Sequence, residues 1–244
     1  MANATQLTFQ RYEVKYFLTP AQQEVLLEGI RPHMEPDAYG QYTICNLYYD
    51  TPDWQIIRTS LEKPAYKEKL RVRSYGVPGQ ADAVFVELKK KCQGIVYKRR
   101  ITAPVQQVEP FLSGSLSPES FGQTGKEIAW FQSRYETRPR VMLAYDRRAF
   151  AGWENPALRL TLDTGIRFRT WDLDLRRGDW GTALLPEDKI LLELKLPGPA
   201  PLWLSGLLAR LELYPTSFSK YGACYREHLL PAAAKINKEA YFCA

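Results

Sequence analysis

An α+β fold, a closed sheet of about eight strands with helices at its periphery, is what this chain predicts. Three observations carry the prediction. Short runs of alternating polar and apolar residues recur along most of the 244 residues. Helix-start signals fall between these runs. On run after run, the polar side is dominated by Arg and Lys with a few carboxylates.

The elements follow in order along the chain. Residues 7–17 read as a strand. Thr19-Pro20-Ala21-Gln22 reads as a helix start: Thr at the N-cap, Pro at the first position and Gln three residues on. That helix would reach about Met34. Residues 41–50 form a strand, and Thr51-Pro52 begins a second helix. Strands follow at 65–75, 83–91 and 95–102. Helices are expected at 104–112 and at 124–135, the latter opened by the box Thr124-x-x-Glu127. Strands at 140–151, 157–162, 166–172 and 189–196 come next. The segments 202–213 and 220–230 are helical. Arg176–Gly181 reads as an exposed loop. No repeat or linker interrupts the chain, so one domain is expected over 1–244, with its core at about 7–230.

Composition narrows the function classes. The net charge is +6, from 33 basic and 27 acidic residues, without a long run of one sign. The four cysteines, Cys45, Cys92, Cys224 and Cys243, fit no zinc spacing, and two histidines, His33 and His228, exclude a His-rich metal site. The N-terminus lacks the pattern of a signal peptide. No run of eighteen apolar residues reads as a membrane helix. A reduced, cytoplasmic protein is the expectation.

Strand parity carries the chemistry, because successive side chains point to opposite faces. Lys67, Lys69, Arg71 and Arg73 share one face, opposite Leu70 and Val72. Glu87, Lys89 and Lys91 share one, as do Lys98 with Arg100, Tyr145 with Arg147, Arg159 with Thr161 and Asp163, Glu193 with Lys195, and Glu13 with Lys15. One such strand is an ordinary sheet with its polar side in water. Seven in series suggest instead the inside of a closed barrel. Like charges crowded there repel and lose hydration, so they call for a polyanion. Phosphate chains supply one and accept bidentate bonds from Arg. The interspersed carboxylates suit a hard divalent cation that bridges phosphates.

Motifs in a fixed order then carry a family resemblance. They are Arg11-x-Glu13-x-Lys15, Tyr48-Tyr49-Asp50-Thr51, Leu70-Arg71-Val72-Arg73, Glu87-Leu88-Lys89, Tyr145-x-Arg147, Arg159-x-Thr161-x-Asp163, Leu192-Glu193-Leu194-Lys195 and Ser217-Phe218-Ser219-Lys220-Tyr221. Over about 9–226 this series resembles the triphosphate tunnel metalloenzymes, CYTH-like proteins, and among them the VTC domain of polyphosphate polymerases. The resemblance implies an eight-stranded antiparallel closed β-tunnel with helices packed outside. It implies transfer of the γ-phosphoryl group of ATP to inorganic polyphosphate, with a divalent metal such as Mn2+ or Mg2+. Carried over by position, Lys15, Arg71, Arg73, Lys89, Lys98, Arg147, Arg159 and Lys220 would grip phosphates. Tyr145 and Ser219 would add hydrogen bonds, and Glu193 would hold the metal. Strand parity adds Lys69 and Arg100 to the phosphate-binding set, which also takes in Lys195 of the Leu192-Glu193-Leu194-Lys195 motif. Glu13 is a second metal candidate or an ion-pair partner of a tunnel lysine.

One departure bears on the reaction. The hydrolase and cyclase branches carry Glu-x-Glu-x-Lys on the first strand, and here Arg11 stands at the first Glu. Part of the metal-binding set is thereby lost, which disfavours a two-metal hydrolase. A triphosphatase or cyclase on the same fold remains the alternative, as does a non-catalytic polyphosphate or inositol-phosphate sensor. Nucleic acid is not an expected partner, because the RNA-recognition aromatic motifs are absent and a lining buried in a tunnel cannot admit a duplex. Family relatives work beside membrane proteins, so a membrane-protein partner is possible on the resemblance.

Overall fold

The computed structural model describes residues 12–230 apart from Gly94. Residues 7–11 of the first predicted strand, Arg11 among them, lie outside that set, as does Cys243. The strands are β1 (Tyr12–Leu18), β2 (Met34–Asp50), β3 (Tyr66–Tyr75), β4 (Ala83–Cys92), β5 (Ile95–Pro104), β6 (Arg138–Gly152), β7 (Arg159–Arg169), β8 (Thr182–Ala183) and β9 (Ile190–Leu196). The helices are α1 (Pro20–Ile30), α2 (Gln55–Leu61), α3 (Val105–Leu112), α4 (Gly122–Tyr135), α5 (Leu202–Arg210) and α6 (Lys220–Cys224), with α6 continued by a π-helical turn at Tyr225–Leu229. The main sheet runs β1-β9-β7-β6-β2-β3-β4-β5, and β8 hangs on β7. Every ladder is antiparallel.

The α+β class and the curled sheet match the expectation, but backbone bonds do not close the sheet. Among the described residues no ladder joins β5 to β1. Side chains span the seam instead: Lys89 Nζ on β4 lies 4.0 Å from Glu13 Oε2 on β1.

Alternation sorts the strands into two faces as predicted. Leu70, Val72, Val86, Leu88, Met142 and Ala144 pack outward under α3 and α4. Leu160, Leu162, Leu192 and Leu194 pack outward under α1 and α5. Leu70 and Leu88 are fully buried, and truncating either to Ala would cost about 2–5 kcal/mol.

The last helix departs from the peripheral position expected of all helices. Tyr221, Ala223 and Cys224 of α6 pack with Ile44, Tyr48, Val141, Leu143, Tyr145 and Leu191. On β2 and β6 these alternate with residues of the outer core, so α6 fills part of the concave side. Asp50 anchors the arrangement. Its carboxylate accepts from Tyr221 Oη at 2.7 Å and from the Ile56 and Ile57 amides at 2.9 and 3.0 Å. One buried acid thus caps α2 and ties down α6.

Four boundaries differ for identifiable reasons. The Thr19 box forms as read, with Gln22 N donating to Thr19 Oγ1 and Thr19 N to Gln22 Oε1, but α1 ends at Ile30, and the chain enters β2 at Met34. There β2 carries a register shift between Pro36 and Gln41, which hides its first half from a strict period of two. The predicted strands at 157–162 and 166–172 are one strand, β7, with a register shift against β6 where Gly165 takes φ +56°. The Thr124 box does not cap α4. That helix starts at Gly122, and Glu127 instead meets Lys90 at 3.2 Å and Arg99 at 3.3 Å.

The described cysteines Cys45, Cys92 and Cys224 are free thiols. His33 stacks on Trp203 and His228 packs against Phe168. Among the described residues no helix is long and apolar enough to cross a membrane.

Candidate functional site

The inner face of the sheet collects the predicted cations around three carboxylates. Cross-strand register places Arg71, Glu87 and Arg100 in one row. Glu87 is 1% exposed. Its Oε2 accepts from Arg71 Nε at 2.9 Å, and its Oε1 meets Lys98 Nζ at 2.6 Å and Arg100 Nε at 2.9 Å. Arg73 Nε lies 3.9 Å from the same carboxylate and donates to Asn46 Oδ1 at 3.0 Å. Burial alone would raise the Glu87 pKa, but Arg71, Arg73 and Lys98 outweigh it and hold the carboxyl well below its usual range. Burial pulls Lys98 down to about 8 against the opposing pull of Glu87. Two oxygens cannot satisfy all the donors of four cations, so unspent N–H groups converge on this wall.

Asp163 on β7 is the second centre and is fully buried. Arg147 grips it with both ends of its fork, Nε to Oδ1 at 2.6 Å and Nη2 to Oδ2 at 2.8 Å. Lys220, the first residue of α6, reaches the same Oδ2 at 2.6 Å. Against its burial, Lys220 and Arg147 hold the acid at about 2. Tyr145 lies beneath both cations, with Lys220 Nζ 4.2 Å and Arg147 Cζ 5.2 Å from its ring centroid. Burial would raise its hydroxyl pKa, yet Arg147, Arg73 and Lys220 bring it below the usual phenol range.

Glu193 on β9 is the third. Its oxygens lie 3.7 Å from Lys15 Nζ and 3.5 Å from Lys195 Nζ. Lys15 spends its hydrogen bond on the Phe218 carbonyl, 2.8 Å away. Despite burial, Lys15, Lys195 and Lys220 keep Glu193 ionised, with its pKa at about 2. In contrast to Glu87 and Asp163, it accepts no hydrogen bond from any described side chain or backbone group. The buried Thr161 hydroxyl opposite it in register is also without a partner among the described residues.

The remaining predicted residues lie around these centres. Lys69 faces inward between Tyr48 and Lys89, and burial lowers it to about 8. Lys89 is half-exposed, and among the described residues its one ion-pair partner is Glu13. Arg159 is exposed, opposite Lys195, and makes no ion pair with a described residue. Ser219 caps α6, its Oγ accepting from Gly222 N at 3.2 Å, which leaves its hydroxyl proton to donate.

The sequence reading missed two positioning residues. Asn46 orients Arg73, and Tyr48 Oη meets Arg71 Nη1 at 3.2 Å. Both lie on the inward parity of β2, so alternation on that strand was the signal available.

A divalent cation fits this donor set in one way. Among the described residues no group of three or more metal-ligating side chains occurs. Glu193 is an ionised carboxylate that accepts no hydrogen bond from described residues, and Glu13 places a second carboxylate at the seam. Mg2+ or Mn2+ held by one or two carboxylates completes its shell with water and phosphate oxygens.

Comparison with known proteins agrees with this architecture. The family model for the VTC domain matches residues 10–228. A curated relative, vacuolar transporter chaperone complex subunit 4 of Schizosaccharomyces pombe, is 25% identical over 90% of this chain, and the match spans 37% of the relative's length. A putative adenylyl cyclase from Hippeastrum, described with dominant triphosphatase activity, superposes with a TM-score of 0.52 at 17% identity, covering 88% of this chain and 94% of that one. A putative adenylate cyclase from Bacillus halodurans gives 0.51 at 12% identity, with 88% and 96% covered. These two likenesses establish the fold. With the family model spanning most of its length, the chain belongs to the VTC domain family.

Proposed function

We propose that this protein is a polyphosphate polymerase that moves the γ-phosphoryl group of ATP onto the end of an inorganic polyphosphate chain. The bond from the γ-phosphorus to the β,γ-bridging oxygen breaks, a bond to a terminal oxygen of the acceptor chain forms, and ADP leaves with the electron pair. The observation that carries the reading is the inner face, where cations crowd around carboxylates that cannot satisfy them. Phosphoryl transfer asks mainly for positioning and charge neutralisation, which such a surface supplies.

Roles follow from place. Arg71, Arg73, Lys98 and Arg100, oriented by Glu87, Asn46 and Tyr48, hold the triphosphate. Lys89 and Lys69 hold the adjoining phosphates. Arg147 and Lys220, fixed on Asp163 over Tyr145, stabilise charge on the transferring group. Lys15, Lys195, Ser219 and Arg159 contact the chain around them. Glu193, with Glu13 in support, would hold Mg2+ or Mn2+, which neutralises phosphate charge when bound. The acceptor oxygen is ionised at neutral pH and needs no general base, so the placement of His33 and His228 in packing contacts costs the reaction nothing. A cytoplasmic location, where ATP is available, and a membrane-protein partner belong to the same proposal.

Purified protein incubated with ATP and Mn2+ should release ADP and build long polyphosphate visible on a gel. Arg73→Ala should lose both, at about 2.7–4 kcal/mol of transition-state stabilisation by analogy with removal of an oxyanion donor. Orthophosphate alone would establish a triphosphatase. Polyphosphate binding with neither product would establish a sensor.

A further inference from the structure

On the outer face of the sheet, one acidic side chain lacks the partner that its position would give it. Glu68 has the outward parity of β3, with Leu70 and Val72, and is 6% exposed. Lys90 stands opposite it in the β3–β4 register. That lysine turns instead to Glu127 of α4, at 3.2 Å, where Arg99 of β5 joins it at 3.3 Å. Among the described residues no cation comes within ion-pair distance of Glu68. Its Oε2 accepts the Tyr135 hydroxyl at 3.3 Å, and its buried Oε1 has no hydrogen-bond partner. A carboxylate withdrawn from water in this way is costly until a cation or further donors meet it.

Glu68 lines a cavity of about 230 Å3 bounded by α2, the start of β3 and the end of α4. Tyr66 and Tyr135 form part of its wall. Burial first, and then Glu68, raise the hydroxyl pKa of both, so both are neutral O–H donors at neutral pH. Lys67 and Arg134 also line the cavity, and neither is spent on Glu68. Lys67 Nζ donates to the Ser60 carbonyl at 3.1 Å. The exposed Arg134 guanidinium lies over the Trp130 and Tyr135 rings, 5.3 Å from each centroid. The wall thus combines one buried anion, two phenol rings and two cations.

These charges select a ligand. An ammonium group would neutralise Glu68 and rest against the tyrosine rings. A simple amine would also meet Lys67 and Arg134 and be repelled. An anionic group beside the ammonium turns that repulsion into a second anchor, because Arg134 offers a fork that matches a carboxylate. The volume lies below the roughly 300–1,000 Å3 of sites for drug-sized ligands, so the ligand is small.

We propose that the Glu68 cavity binds a small zwitterion, its ammonium on Glu68 and its carboxylate on Arg134, which is the chemistry of a free α-amino acid. Glu68 faces away from the phosphate-binding wall, so this site does not depend on the polymerase reading.

The test is the melting temperature of the full chain with individual free α-amino acids, n-butylamine or butyrate at millimolar concentration, followed by calorimetry with any amino acid that shifts it. At least one amino acid should raise the melting temperature, because a ligand of the native state stabilises it by mass action. Neither single-charge probe should do so. Glu68→Gln keeps the shape and removes the unpaired charge, so the ligand-free melting temperature should hold or rise. Its affinity for the same amino acid should fall at least about thirtyfold. Arg134→Gln, a change at an exposed side chain, should weaken binding about two- to fivefold. No shift with any amino acid, an equal shift with n-butylamine, or unchanged affinity in either variant overturns the site.

Discussion

Glu87 and Glu193 are the same side chain on the same inner face, yet their surroundings use them differently. Glu87 is sealed in, hydrogen-bonded by Arg71, Lys98 and Arg100. Glu193 sits between Lys15 and Lys195 at 3.5–3.7 Å and accepts no hydrogen bond from described residues. Both are held ionised by neighbouring cations against the cost of burial. The first has spent its lone pairs on organising the basic wall. The second keeps its lone pairs available, as a carboxylate must to ligate a cation. A residue's type and parity are alike in the two cases, and only the partners separate a carboxylate tied into the scaffold from one left open.

The largest expected effect comes from breaking the scaffold. Glu87→Gln leaves several cations without their shared anion and should destabilise the fold by about 3 kcal/mol, read by urea denaturation. This is the low end for a broken buried pair, because Lys98 and Arg100 are themselves partly exposed. A cost under about 0.5 kcal/mol, the range of ordinary surface changes, would mean that Glu87 organises nothing.

Glu193→Gln should behave in the opposite way. It removes no hydrogen bond, so its stability cost should stay at about 1–2 kcal/mol. Its rate should fall at least about a hundredfold, or 2.7 kcal/mol in the barrier, with the Mn2+ midpoint shifted to higher concentration. An unchanged Mn2+ midpoint would assign Glu193 to ion pairing alone.

The lysines give a pH test of the same wall. Lys69 and Lys98 are depressed from 10.5 to about 8, chiefly by burial. Between those values the unfolded chain binds more protons than the fold, so their contribution to ligand-free stability rises with pH across that window. A bound polyanion favours the ammonium forms. Polyphosphate binding near the depressed value should therefore take up protons, seen as a calorimetric heat that depends on the buffer's ionisation enthalpy. Buffer-independent heat would contradict the depressed lysines.

Strand parity made most of the inner face legible in the sequence. The four basic residues of β3 and the Glu87, Lys89, Lys91 series needed only a period of two. What parity could not give is who bonds whom. The hub at Glu87 depends on the β3–β4 and β4–β5 registers. The Asp163 centre depends on α6 turning inward to bring Lys220 across the sheet. That inward turn was hidden, because an apolar helix reads alike whether it packs outside a sheet or inside it. Arg169 was hidden similarly. Its guanidinium donates to the Asp172, Asp174, Gly178 and Trp180 carbonyls and pins the loop that the sequence marked only as exposed.

The smallest expected effect separates two capping signals of the same kind. Thr19→Ala should cost about 1 kcal/mol, since Thr19 makes both bonds of its box. Thr124→Ala should fall within about 0.5 kcal/mol of the wild type, because α4 begins before it. Equal costs in thermal melts would undo the reassignment of the α4 start.

The central claim is tested most directly by following the label from γ-32P-ATP in the presence of Mn2+. If the basic wall moves the γ-phosphoryl group onto a chain, the label should appear in high-molecular-weight polyphosphate in step with ADP release. Label recovered wholly as orthophosphate, with no labelled polymer, would contradict it.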